Sequence, residues 1–217
     1  MREQMLEIYS SLLDYFGPQR WWPAETPVEV IIGAILTQNT SWSNVSQAIK
    51  NLKESNLLSI NGLRHSPNSE IEALIRPTGY FRQKTKKLKH FIDFLYDKHG
   101  GELQSLFDLN VAEMREQLLN ITGIGPETAD SIILYAAGKP SFVIDKYTTR
   151  IFSNLGLLHE NVKYHEAKLF FEENLPEDVR LYNEFHAMIV ALGNQICKKK
   201  NPSCSKCPVR YHCLNTQ

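Results

Sequence analysis

Cysteine is missing from the first 196 residues of this 217-residue chain; all four, Cys197, Cys204, Cys207 and Cys213, fall in the last 21. Nothing upstream can pair with them, which excludes a disulfide framework spanning the fold and leaves a local metal centre as the better reading. Long apolar runs are missing as well. None approaches the roughly 18 to 20 residues that a membrane span needs, and the N-terminal MREQMLEIYSSLLDYF is amphipathic and carries acids, unlike a secretory leader. A cytoplasmic protein without signal peptide or membrane contact is therefore expected.

A net charge is also lacking, since Lys+Arg and Asp+Glu both number 24. Global charge thus gives no argument for an anionic partner, but its distribution does. Residues 76 to 99 hold seven basic side chains against Asp93 and Asp97, and residues 197 to 217 hold Lys198, Lys199, Lys200, Lys206 and Arg210 with no acid. Either segment could equally be a solvated face. Alternating strands, internal repeats and low-complexity tracts are absent too.

What is present is helical periodicity. Apolar residues recur at helix spacing in 4–16, 27–37, 41–53, 70–76, 82–97, 111–119, 127–138, 147–155, 164–173 and 180–196. Proline and glycine punctuate the series, and SFVI at 141–144 reads as a short buried connector. The fold class is all-α, and 42% hydrophobic content supplies a sizeable core.

The cysteines are spaced Cys197-x6-Cys204-x2-Cys207-x5-Cys213. Four thiolates in so short a stretch can surround one inorganic centre, either a tetrahedral zinc or a [4Fe–4S] cluster. Zinc ribbons usually show two C-x2-C knuckles and this chain has one, so spacing favours iron–sulfur while leaving zinc open. A second pattern is ITGIGPETADSII at 121–133. Gly123 and Gly125 permit positive φ and bare the amides around Ile124, and Pro126 suits the first position of the following helix. Such amides at a helix N-terminus suit a phosphate oxygen, although a plain helix-to-helix turn would use glycine as well. Asp145, in SFVIDKYTTRIF, would by itself be the N-cap of helix 147–155.

Together these motifs resemble the helix-hairpin-helix superfamily of base-excision DNA glycosylases, the endonuclease III-like group. The cysteine spacing, the preceding FHAMIVALGNQIC, the hairpin ITGIG followed by PETADSII, and VIDKYTTRIF twenty residues further on all carry the resemblance. It implies a two-lobed fold, with residues 23–139 forming a helical domain that ends in the hairpin, and 1–22 plus 140–217 forming a lobe closed by a [4Fe–4S] loop at 197–213. It also implies that Lys198, Lys199 and Lys200 touch DNA phosphates and that hairpin carbonyls hold a monovalent cation. Asp145 would be the catalytic carboxylate, stabilising the positive charge that builds on the sugar as the glycosidic bond breaks.

Bifunctional members carry a lysine where this chain has Glu127, and a carboxylate cannot form their Schiff base. A monofunctional enzyme using water is expected, with Lys146 beside Asp145 keeping a residual lyase activity in view. A base inside duplex DNA must be extruded. ILTQNTSW resembles the segment that inserts a glutamine, making Gln38 the wedge candidate, with a satisfied core amide as its alternative; TGYFRQKTKKL makes Tyr80 the plug candidate. Trp21 and Trp22 in RWWPAE, followed by GAILTQNT and Trp42, are similar to the small endonuclease III-like 3-methyladenine glycosylases. Their aromatics sandwich the flipped purine, so Trp21, Trp22, Trp42, Glu127 and Lys146 form the expected base pocket in the cleft between the lobes. A 3-methylated purine is cationic, and each favourable aromatic face would contribute roughly 0.5 to 2 kcal/mol. Some members of that type lack the cysteine quartet, which this chain keeps. The expected partner is double-stranded DNA with a damaged base, met by a monomer in the nucleoid. A glycosylase/lyase for oxidised pyrimidines and a non-catalytic iron–sulfur DNA-binding protein are the alternatives.

Overall fold

The computed structural model describes residues 1–214, so the last three residues of the expected cluster lobe, 215–217, lie outside the described residues. Twelve α-helices are present among them and no strand. The chain divides into two compact units, Ala24–Lys139 and Met1–Pro23 with Pro140–Gln217.

The continuous unit holds α2 (Pro27–Leu36), α3 (Trp42–Glu54), α4 (Ile60–His65), α5 (Asn68–Leu74), α6 (Phe81–His99), α7 (Leu103–Phe107), α8 (Val111–Leu119) and α9 (Pro126–Ser131). Helix α2 starts where Thr26 accepts a hydrogen bond from the Glu29 amide and Pro27 occupies the first turn. It is buried from Glu29 to Leu36, as an apolar segment without a polar face requires, and packs on α3, α6, α9 and the turn after α9. The core continues through Val45, Leu52, Leu88, Phe91, Leu95, Met114 and Leu118.

Periodicity does not reveal α4 and α7, which bury only Leu63 and Leu106 respectively. Instead α4 is held at its ends: Ser59 caps the Gly62 amide, and the Lys89 ammonium reaches the carbonyls of Leu63, Arg64 and Ser66. The helix expected over 127–138 is also interrupted. It ends at Ser131 and passes into a π-helical turn, Ile132–Ala136, which seats Ile132, Ile133 and Leu134 in the core.

The second unit contains α1 (Arg2–Phe16), α10 (Lys146–Asn154), α11 (Tyr164–Asn174) and α12 (Val179–Gln195). Helices α1 and α10 both pack on α12. The connector 141–144 is buried, and Phe142 stacks on Phe171 with centroids 4.1 Å apart and meets Tyr182 and Phe185 edge-on. Burying each such ring stabilises the unit by about 1.5–3 kcal/mol. Among the described residues no helix is long and apolar enough to cross a membrane.

Candidate active site and DNA interface

The hairpin joins α8 to α9. Arg115 on α8 makes a two-toothed ion pair with Asp130 on α9, Nε to Oδ1 at 2.8 Å and a terminal nitrogen to Oδ2 at 3.1 Å. Asp130 is fully buried, so this pair fixes the two helices against each other. Ile121 and Ile124 anchor the turn in the core, the Ile124 amide donating to the Ile121 carbonyl. Gly123 has φ 96°, and a Cβ there would stand 2.5 Å from Lys87 Cγ. Gly125 corrects the sequence expectation: it is extended at φ −96°, caps α9, and has open space where a Cβ would go. Only Gly123 uses positive φ. Among the described residues neither glycine amide donates to a main-chain carbonyl.

Gln38 lies in the same place. Its amide nitrogen donates to the Gly123 carbonyl at 3.2 Å and to Thr128 Oγ1 at 3.0 Å, while the Lys87 ammonium donates to its oxygen. The half-buried amide is thus hydrogen-bonded within the unit and braces the hairpin. Glu127, second residue of α9, is exposed, and its main-chain carbonyl accepts from Ser131. Tyr80 is 69% exposed in the left-handed region at φ 46°, ahead of α6. Trp42 opens α3 and is half-buried.

In the other unit, Asp145 is the N-cap of α10. Its Oδ1 accepts from the Thr148 amide at 2.7 Å and hydroxyl at 2.8 Å, while Oδ2 stands 3.8 Å from His186 Nε2 on α12. Burial pushes the His186 imidazole below the usual histidine value, with the Asp145 carboxylate pulling the other way. Lys146 follows, exposed. Trp21 and Trp22 are half-buried, joined by a cis peptide, with ring centroids 5.6 Å apart. The loop before them is held by Glu184 on α12, whose carboxylate accepts from the Gln19 amide at 2.6 Å and the Arg20 amide at 3.0 Å.

The four cysteines follow α12. Burial raises the Cys207 thiol above its ordinary value, the Val209 backbone hydrogen bond pulls it back, and Cys197, Cys213 and Cys204 raise it further. Asn154 on α10 donates to Cys197 Sγ at 3.6 Å, and Arg150 reaches the Gly193 and Cys197 carbonyls. Among the described residues no group of three or more His, Cys, Asp or Glu is arranged to hold a metal ion. The residue types, four cysteines with an amide donor to the first sulfur, are those that a thiolate-bound centre uses. Lys198, Lys199 and Lys200 are exposed.

The family profile of the HhH-GPD superfamily of base excision DNA repair proteins matches residues 32–177, about two thirds of the sequence. The chain belongs to this superfamily. It is 47% identical over 214 residues, 98% of this chain and 97% of the other, to a Methanocaldococcus jannaschii protein provisionally named a DNA repair glycosylase. Among solved structures it is similar to the H. pylori 3-methyladenine DNA glycosylase MagIII bound to 1,N6-ethenoadenine, with TM-score 0.75 and 27% identity over 89% of this chain and 96% of that one. The fold is shared with endonuclease III trapped covalently on DNA, TM-score 0.85 at 22% identity, covering 99% and 96% of the two chains. This HhH-GPD protein is accordingly a DNA glycosylase of base excision repair, acting on the glycosidic bond.

Residue patterns brought Asp145 and the hairpin forward but not His186, Glu184 or Lys87. His186 sits in an apolar helical stretch, where a polar residue at 5% exposure is itself a signal. Glu184 lies 165 residues from Gln19, and no local pattern encodes their meeting.

Proposed function

We propose that this glycosylase is monofunctional and releases alkylated purines of the 3-methyladenine type from duplex DNA. The observation that carries the reading is Glu127 exposed on the first turn of α9, at the motif position where bifunctional relatives place a lysine nucleophile. A carboxylate there cannot become a Schiff base. The likeness to a 3-methyladenine glycosylase supports the substrate class.

The chemistry needs no protein nucleophile. The C1′–N bond breaks with its electron pair passing to the cationic base, which leaves neutral, and positive charge moves to the sugar. The Asp145 carboxylate stabilises that charge and accepts the proton of the water that adds to C1′. Trp21, Trp22 and Trp42 are the candidates to offer π faces to the base, and Glu127 and Lys146 the candidates for its polar contacts. The amides of Gly123 and Gly125 grip a phosphate while Ile124, its own amide held by Ile121, seats the turn between them; a monovalent cation sits on hairpin carbonyls, and Lys198, Lys199 and Lys200 add backbone contacts. Gln38 and Tyr80 occupy the gap left by the extruded nucleotide, with Gln38 leaving its present partners to do so. A [4Fe–4S] cluster on Cys197, Cys204, Cys207 and Cys213 would close the C-terminal loop structurally. The enzyme would act as a monomer on nucleoid DNA.

Borohydride trapping on an abasic duplex tests the mechanism. The expected result is no more covalent adduct than with a lysine-free control protein; abundant adduct would favour the glycosylase/lyase reading through Lys146.

A further inference from the structure

The two oxygens of Asp145 are unequally engaged. Oδ1 is pinned by the amide and hydroxyl of Thr148, so the carboxylate cannot turn about its last bond without breaking both hydrogen bonds. Oδ2 keeps spare lone pairs and faces Nε2 of His186 at 3.8 Å. That separation exceeds a hydrogen bond by under about 1 Å, within reach of a small side-chain adjustment. The histidine belongs to α12, whose packing on α10 fixes the spacing between ring and carboxylate. It is only 5% exposed and does not enter the chemistry described above.

A neutral imidazole is well matched to this place. It can aim one N–H at Oδ2 and hold the carboxylate in one orientation while leaving its full negative charge for the sugar. A lysine or arginine would compete for that charge, and an apolar side chain would leave Oδ2 against a surface that disfavours the anion. We infer that His186 is the positioning residue of the Asp145 carboxylate, backing Oδ2 so that the anion stays oriented toward the reacting sugar. This rests on the reading of Asp145 as the group that stabilises the sugar cation.

Single-turnover base release from duplex DNA methylated with dimethyl sulfate tests it, using the full-length protein. His186→Phe keeps the ring volume and removes both nitrogens; His186→Gln restores a donor. The expectation is a roughly ten- to hundredfold slower chemical step for His186→Phe, the usual scale for losing an orienting partner, with unchanged duplex affinity and recovery of most of the rate in His186→Gln. In the Asp145→Asn background His186→Phe should cost nothing more, because the carboxylate it orients is gone. A His186→Phe rate within twofold of wild type, equal losses in both variants, or a full further loss in the Asp145→Asn background would each overturn the inference. Should His186→Phe fail to fold, the Gln variant decides, since a rate tenfold below wild type there removes the donor argument. Asp145→Asn separates the parent reading: if it still releases bases, the role of Asp145 fails first. If it is inactive while His186→Phe matches wild type, only the positioning role falls. No release by wild type overturns both.

Discussion

At the scale of single residues, Asp145 has the N-cap role seen in the structure and the catalytic role proposed above, and substitution can separate the two. As N-cap it satisfies the Thr148 amide, and asparagine caps helices about as well. Asp145→Asn should therefore melt within a degree or two of wild type, yet release damaged bases about 10²–10⁴-fold more slowly. Calorimetry and a single-turnover assay check the two halves independently. Asp145→Ala should lose the same activity and about 1 kcal/mol of stability besides. Lys84 offers a second residue-scale test. Its ammonium is buried and bonds the Leu36 and Thr78 carbonyls, and burial, reinforced by Lys87, lowers its pKa to about 8. The unfolded chain then holds more protons than the folded one between about 8 and the ordinary lysine value. Stability should rise with pH across that window and fall back as pH drops toward 8. Denaturant titrations should show this pH-dependent component in wild type and not in Lys84→Met, which also leaves two carbonyls without their donor.

At the scale of elements, the two hairpin glycines should behave differently. Gly123→Ala forces a side chain to φ 96° and against Lys87 Cγ, a strain of about 1–3 kcal/mol, so the melting temperature should drop. Gly125→Ala meets neither strain nor neighbour and should fold normally, while its methyl group obstructs a phosphate approaching the α9 amides. Duplex affinity, for undamaged and damaged DNA alike, should then fall without loss of stability. Equal effects at the two positions would contradict the assignment of the turn. Helix α12 makes a comparable case: Glu184→Gln weakens the carboxylate's hold on the Gln19 and Arg20 amides, and base release should decline through a higher KM with the fold intact. The long helices were legible because a helix with one buried face writes apolar residues at a 3.6-residue period, as in α6 with Leu88, Phe91, Ile92 and Leu95. Helices α4 and α7 were not, since a single buried side chain leaves no period. Nor was the π turn after Ser131, where the register shifts inside a continuous apolar segment. Of the candidate residues, Asp145 as an N-cap and the hairpin as a turn were legible in local motifs, whereas His186 and Glu184 meet partners that only the folding of α12 against α10 and α1 brings near.

At the scale of the whole molecule, a chain with zero net charge has only local basic segments to offer a polyanion, and the proposal assigns 198–200 to that task. Each of Lys198, Lys199 and Lys200 that touches a phosphate should, when replaced by alanine, reduce the salt dependence of duplex binding by about one unit of slope. The proposed centre on Cys197, Cys204, Cys207 and Cys213 belongs to the unit Met1–Pro23 with Pro140–Gln217, so its removal should loosen that unit and leave residues 24–139 protected in hydrogen exchange. Iron and sulfide analysis of purified protein identifies the centre, and zinc alone would contradict the cluster. The proposed activity is defined by which base leaves the DNA and how. The most direct measurement is mass analysis of bases released from methylated duplex by the wild-type protein. It predicts 3-methyladenine in the soluble fraction and abasic strands that stay intact until treated with alkali. Strands already cleaved beside oxidised pyrimidines, with no methylated purine released, would contradict it.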